Sequence, residues 1–302
     1  MKVIENAGSP AKLEGTNDIV SRLLACGGTP LMYEAAQGNI SEMERLLNEG
    51  SSISDQDTNG NTALHWAAHE GQLDAVDNLL SAGASANIGN YDGVTPLIWA
   101  VHMDKVDIVK ALLENWADPN TMDHNGRNAL HIAALLKRHA ILEILLFSGA
   151  NPNTQTLLDC NWVPLHYAAQ EGDIDMTEML LRSGADPNVP DDSGMGALHY
   201  AVKNRSHTRI VTALLNAGAN VNLLSEGNNT PLHLATYKNN ISVSQLLLEA
   251  GANVNLANKD GKLPLHYVDK EKTPILYQWL VTAGTNRGIA AWFRSLIGRL
   301  YS

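Results

Sequence analysis

Eleven histidines in 302 residues are the first place to look for chemistry. Imidazoles ligate zinc and move protons near neutral pH. His65 and His69 stand four residues apart, a spacing that puts two rings on one helix face, as many zinc sites do. No third ligand stands at a matching offset, and the two cysteines, Cys26 and Cys160, are far apart in the chain. His65, His131, His166, His199, His233 and His266 also share one recurring frame, a Leu-His step ahead of small residues. A frame that returns this often reads as structure rather than as a ligand set. No nucleophile elbow, Walker loop, dinucleotide fingerprint or zinc-type cysteine pair is present. The reading is therefore no enzyme, no catalytic residue, no metal and no cofactor.

The position after the framed histidine carries a second signal. It is Tyr33, Trp66, Trp99, Ile132, Tyr167, Tyr200, Leu234 and Tyr267, six aromatics in eight places in a chain that is 5% aromatic. The tyrosines are expected to fill space between adjacent helices. Trp66 and Trp99, on consecutive repeats, are expected to expose part of their rings, each indole N–H needing a partner.

The elements that position these residues follow from the period. The frame's leucines are Leu31, Leu64, Leu97, Leu130, Leu165, Leu198, Leu232 and Leu265, spaced 33, 33, 33, 35, 33, 34 and 33 residues apart. A repeat that regular implies a solenoid. The first helix of a unit opens at the Thr-Pro step or its equivalent, where a proline gives up only a donor that would be orphaned anyway. A glycine such as Gly38, Gly71 or Gly172 turns the chain, and a second helix ends in Leu-Leu before a glycine such as Gly83, suited to a left-handed C′ position. Short fingers follow, with Asn-Gly or Asp-Gly at Asn59-Gly60, Asp92-Gly93, Asn125-Gly126 and Asp260-Gly261. Asp104 and Trp116 replace both glycines of the third unit, and Lys137 and His139 make the fourth irregular. The finger at 154–162 is two residues long for its type, residues 204–207 lengthen one turn by a residue, and Pro274 opens the last second helix.

With Thr230-Pro231-Leu232-His233 and Thr62-Ala63-Leu64-His65 followed by small residues and Leu-Leu-x-x-Gly-Ala, the chain resembles the ankyrin repeat over about residues 29–286. That resemblance implies an all-α solenoid of eight helix-turn-helix units with β-turn fingers, the first helices lining a concave face and the histidines satisfying finger backbone. It also implies protein binding, as an adaptor, scaffold or inhibitor. Trp66 and Trp99 in their local runs look like the inner helices of the ankyrin domains of euchromatic histone methyltransferases, which implies a methyl-lysine cage also drawing on Tyr91 and Asp92. Val94 stands where that family has a further tryptophan. Ankyrin-bearing palmitoyltransferases, which the same place resembles, hold a short peptide there. Asn222 and Asn255 resemble hydroxylated asparagines of ankyrin repeats, or simply hold the finger turn.

Mapping the same face along the chain gives a candidate partner surface on repeats 2–5. It comprises Trp66, His69, Tyr91, Asp92, Trp99, His102, Met103, His124, Arg127, Leu135, Leu136, Leu157, Leu158 and Trp162. Paired leucines where polar residues are common suggest contact with a partner.

Flanking segments complete the plan. Residues 1–16 read as a mobile leader and 17–28 as a half-repeat cap that shields the first repeat. Residues 287–302 read as an amphipathic helix with Ile289, Trp292, Phe293, Leu296, Ile297 and Leu300 on one face and Arg287, Arg294 and Arg299 between. It is expected to cover the end of repeat eight, with Trp292, Phe293 and Arg294 offering membrane or partner targeting as the alternative. The net charge of −11 divides unevenly: residues 203–302 carry 11 Lys+Arg against 5 Asp+Glu, leaving 10 against 27 for the rest. The acidic majority argues against nucleic-acid binding, whose affinity comes from neutralised phosphates. Two cysteines fit a reducing compartment, and no apolar run matches a signal peptide or membrane span. One or more proteins or peptides are the expected partners of a monomeric, intracellular protein, cytoplasmic and/or nuclear.

Overall fold

The computed structural model describes residues 19–203 and 208–285. The expected leader at 1–16, the lengthened turn at 204–207 and the segment 287–302 with Trp292, Phe293 and Arg294 lie outside the described residues. The chain falls into two compact units, Met1–Asn151 and Pro152–Ser302.

Among the described residues the first unit opens on α1 (Ile19–Ala25) and continues as four helix pairs. These are α2 (Pro30–Gln37) with α3 (Ile40–Asn48), and α4 (Ala63–Glu70) with α5 (Leu73–Ser81). Next come α6 (Pro96–His102) with α7 (Val106–Glu114), and α8 (Ala129–Leu135) with α9 (His139–Phe147). First helices stack on first helices and second on second. Alanines make the approach close: Ala35, Ala67, Ala68, Ala100 and Ala133 are wholly buried, with Leu64, Leu97 and Leu130 beside them. Truncating one such leucine to alanine costs about 2–5 kcal/mol.

The second unit pairs α10 (Pro164–Glu171) with α11 (Ile174–Arg182) and α12 (Ala197–Lys203) with α13 (Thr208–Asn216). It goes on with α14 (Pro231–Tyr237) and α15 (Ile241–Glu249), a single 3-10 turn at Pro264–Tyr267 and α16 (Pro274–Thr285). All regular elements among the described residues are helical, in keeping with the all-α expectation. In the last repeat the first helix shrinks to that one turn because Val268 is extended (ψ 125°) and Asp269 caps the amides of Glu271 and Lys272. Val268 stands where six of the other seven repeats have alanine, and Asp269 where four of them do.

Helix ends show which substitutions strain the frame. Gly83 ends α5 at φ 93°, and the same left-handed place after α7 holds Trp116 at φ 65°. Asp104 and Lys137 take φ 57° and 58° in the turns inside the third and fourth pairs. Left-handed conformations cost non-glycine residues about 1 kcal/mol each.

Candidate functional site

Four of the framed histidines, His65, His166, His199 and His233, bond to backbone at both ring nitrogens. The Thr62 amide donates to Nδ1 of His65 (3.1 Å), whose Nε2 donates to the Val94 carbonyl of the next finger (3.0 Å). His199 and His233 repeat the arrangement, Nε2 reaching the Asn229 and Lys262 carbonyls at 3.1 Å each. An imidazole that accepts at one nitrogen and donates at the other is the neutral tautomer. Burial pulls His65, His166 and His199 down to about 4 in pKa. His69 instead faces the Glu70 carboxylate at 2.8 Å. Among the described residues no group of three or more His, Cys, Asp or Glu side chains could hold a metal ion.

Three of the aromatic positions, Trp66, Tyr200 and Tyr267, are tethered to the preceding finger. Asp57 accepts the amides of Asn59 and Asn61 at one oxygen, closing its turn, and its other oxygen accepts the Trp66 indole N–H at 3.1 Å. Nine residues separate finger residue and ring, and that interval returns at Asp191, which accepts the Tyr200 hydroxyl, and at Asn258, whose amide donates to the Tyr267 hydroxyl. In the fourth repeat the ring position is Ile132, which has no donor. There the buried Asp123 takes the Arg127 guanidinium, Nε at 3.0 Å and a second nitrogen at 2.8 Å.

This corrects several expectations for the first unit. Trp66 is 1% exposed and Trp99 5%, so neither ring offers the open face that a cation cage needs. Part-exposed faces were expected because the Asp57 tether of Trp66 is invisible until the finger folds back, and at Trp99 the matching finger residue, Asn90, turns its amide to Asn61 instead. The rings do come together, with His69 and His102 interleaved: centroids run Trp66–His69 6.3 Å, His69–Trp99 4.9 Å and Trp99–His102 6.1 Å. Arg22 caps the row, 5.5 Å above the Trp66 ring and 3.1 Å from Glu70. Burial, then His69, Arg138 and Arg127, push the His102 pKa below its ordinary value. Arg127 is buried against Asp123, not turned to a partner. Leu135 and Leu136 are only half-buried, as is Met103, because they close the end of the first helix rather than stand free of it. Tyr91 and His124 are exposed, and each rests on the preceding finger: a Cβ at Gly60 would lie 2.6 Å from the Tyr91 ring, and one at Gly93 2.9 Å from His124. Asp92 is half-buried beneath, its carbonyl accepting the His124 amide at 2.9 Å.

The second unit carries the long finger. Buried Thr156 knits it together: its amide donates to the Trp162 carbonyl (2.9 Å), and its hydroxyl donates to the Asp159 carbonyl (3.0 Å) and accepts the Trp162 amide (2.9 Å). Gln155 reaches the Asn161 and Pro190 carbonyls at 3.2 and 3.0 Å, and Asn161 donates to the Asp192 carboxylate. Cys160 and Asn161 take φ 59° and 56° to turn the chain. The tip so fixed presents Leu157 and Leu158 at 65% and 71% exposure. At its base Trp162 meets Tyr167 and Tyr200 edge-on, each at 4.8 Å. Lys203 lies over the Tyr200 ring at 4.5 Å, and Lys238 and Lys262 sit over Tyr237 and Tyr267.

Two exposed aromatics were not among the expected site residues, although Trp116 stands out in the sequence as a replaced glycine. Phe147, at the end of α9, is 94% exposed and Trp116, just past α7, is 88% exposed. Phe147 lines a cleft between α7 and α9 with Lys110, Leu113, Glu114, Glu143, Ile144 and Ser148. Both positions depart from the frame, which has Asn48 and Ser81 at the first and Gly50 and Gly83 at the second.

A family model described as ankyrin repeats (3 copies) matches residues 10–90, 79–156, 153–225 and 198–284. Among curated proteins, a putative palmitoyltransferase of Danio rerio is 39% identical over 80 residues, 26% of this chain and 12% of that protein. The RelA-associated inhibitor of Mus musculus is 36% identical over 76 residues, 25% of this chain and 9% of that protein. The matched stretches thus span about a tenth of the length of these relatives. Among solved structures, the ankyrin repeat domain of Bcl-3, a unique member of the IkappaB protein family, is similar with a TM-score of 0.66. That match is 29% identical in sequence and covers 73% of this chain and 99% of that one.

Proposed function

The chain belongs to the ankyrin-repeat family, and from that premise we propose that it is a non-catalytic protein-binding module, an adaptor, scaffold or inhibitor, that grips its partner through the long finger of the second unit. One observation carries this reading: Leu157 and Leu158 stand in solvent on a tip that buried Thr156 and the Gln155 bonds hold rigid. Apolar side chains gain nothing by exposure, and a preorganised tip loses little entropy on docking. The Trp162, Tyr167 and Tyr200 cluster at its base supplies the aromatic edge that contact hot spots favour. The likeness of one segment to an inhibitor named for its association with RelA supports the inhibitor form of the proposal.

A quantitative pull-down tests it. Wild type, Leu157→Asp/Leu158→Asp and the control Leu24→Asp, which alters an exposed residue on α1 of the other unit, are compared by mass spectrometry. A set of partners lost at least tenfold with the finger variant alone supports the reading. Equal recovery by all three proteins refutes it.

A further inference from the structure

The cleft of the first unit is a second recognition surface. Its apolar lining comes from Leu113 on α7, Ile144 on α9 and Phe147 at the α9 end, and the exposed Trp116 follows two residues after Glu114, which also lines it. Neither aromatic serves the fold. Phe147 buries almost nothing, and Trp116 holds a left-handed φ of 65° that a glycine takes without strain. Strain kept where it brings no packing points to function.

The electrostatics say what kind of group belongs there. Glu114 and Glu143 line the cleft, and the carbonyl ends of α7 and α9, the negative ends of their dipoles, close beside it. The lining cation, Lys110, is 3.6 Å from Asp107 on its own helix, which offsets its charge. Exposed aromatic faces within a negative rim attract guanidinium and ammonium groups. We propose that this cleft binds a cationic peptide segment of a partner protein, in which an apolar anchor packs on Phe147 and adjoining arginines or lysines meet Glu114, Glu143 and the Trp116 ring. An acidic segment is repelled, and a purely apolar one forgoes the rim.

Fluorescence anisotropy of the full chain with a short labelled peptide of alternating Arg and Leu tests this. Peptides of alternating Glu and Leu and of alternating Arg and Ser are the comparators. The Arg-Leu peptide is expected to bind at least tenfold tighter than either. Trp116→Gly/Phe147→Ser restores residue types found at these places in other repeats, so it keeps the fold, and is expected to weaken binding about tenfold or more. Glu114→Lys/Glu143→Lys is expected to do the same. Binding untouched by the first double variant, or equal binding of the Glu-Leu peptide, overturns the proposal. So does concentration-dependent self-association lost in Trp116→Gly/Phe147→Ser, since the occupant would then be a second copy. Leu157→Asp/Leu158→Asp is expected to leave the peptide affinity unchanged, which separates this surface from the finger; a matching loss there counts against it.

Discussion

Trp66→Phe isolates the tether that shapes the aromatic row. The substitution keeps a buried ring but deletes the indole N–H, leaving that oxygen of Asp57, itself 2% exposed, with only the Asn61 side-chain amide at 3.1 Å. A hydrogen bond to a charged group contributes about 1.5–3 kcal/mol. A loss of about 2 kcal/mol for α4 follows. Asp57→Asn alone is also costly: its oxygen is needed by the turn amides, so its NH₂ group meets the indole N–H donor to donor. Combining Asp57→Asn with Trp66→Tyr copies the Asn258–Tyr267 pair, in which the amide donates to the hydroxyl at 2.9 Å, and is expected to recover most of the loss. Repeat arrays open piecemeal, so the readout is hydrogen exchange at α4 amides rather than a single melting curve. Trp66→Phe should speed exchange about thirtyfold, since each 1.4 kcal/mol is a factor of ten. If Asp57→Asn/Trp66→Tyr exchanges as fast as the product of the two single variants, the pair is not coupled and the tether argument fails.

Other outcomes can be checked in parallel. Arg127→Ala leaves Asp123 buried without its cation and should cost about 3–5 kcal/mol in urea unfolding; a change below about 1 kcal/mol contradicts the assignment. Trp116→Gly should raise stability by about 0.5–1 kcal/mol by relieving the left-handed strain, and a lower urea midpoint would argue that the exposed indole packs after all. Acid should destabilise early. His65, His166 and His199 titrate near 4 when folded against about 6.5 when unfolded, so the unfolded chain binds the extra protons between those values. Stability is then full above pH 6.5 and falls as pH drops, by up to about 1.4 kcal/mol per pH unit for each histidine. A flat profile from pH 6.5 to 4.5 would falsify the buried neutral tautomer.

Much of the fold was legible because its determinants are local and periodic. The Leu-His step, the helix-opening prolines and the C′ glycines each act within a few residues, so the spacing of Leu31, Leu64 and Leu97 marks the helix pairs directly. The backbone role of the histidines was readable for the same reason. Exposure was harder to read. Trp66 looked available until Asp57 claimed its N–H, and Arg127 until Asp123 claimed its guanidinium. In hindsight the nine-residue interval from finger acid to ring carries both, including the exchange of ring donor for arginine where Ile132 stands. Leu157 and Leu158 are exposed on the finger whose length and apolar character already set it apart in the sequence. Phe147 went unnoticed because it ends an otherwise ordinary apolar helix.

The fingers also carry a chain of asparagines. Asn87 donates to the Trp116 carbonyl (2.9 Å) and accepts the Asp118 amide (2.7 Å), and Asn120 does the same with Gly149 and Asn151. In the second unit Asn153 and Asn188 link to the next repeat likewise, and Asn222 accepts the Asn253 amide. Each joint reads only main-chain atoms of its neighbour, which any sequence supplies. These finger joints are thus indifferent to the neighbour's side chains, whereas the ring tethers are particular to the repeats that carry them. An array assembled this way can lose, gain or shuffle a module without re-cutting the seam. Its surface, by contrast, can diverge one module at a time, as the leucine tip in one unit and the aromatic cleft in the other have done.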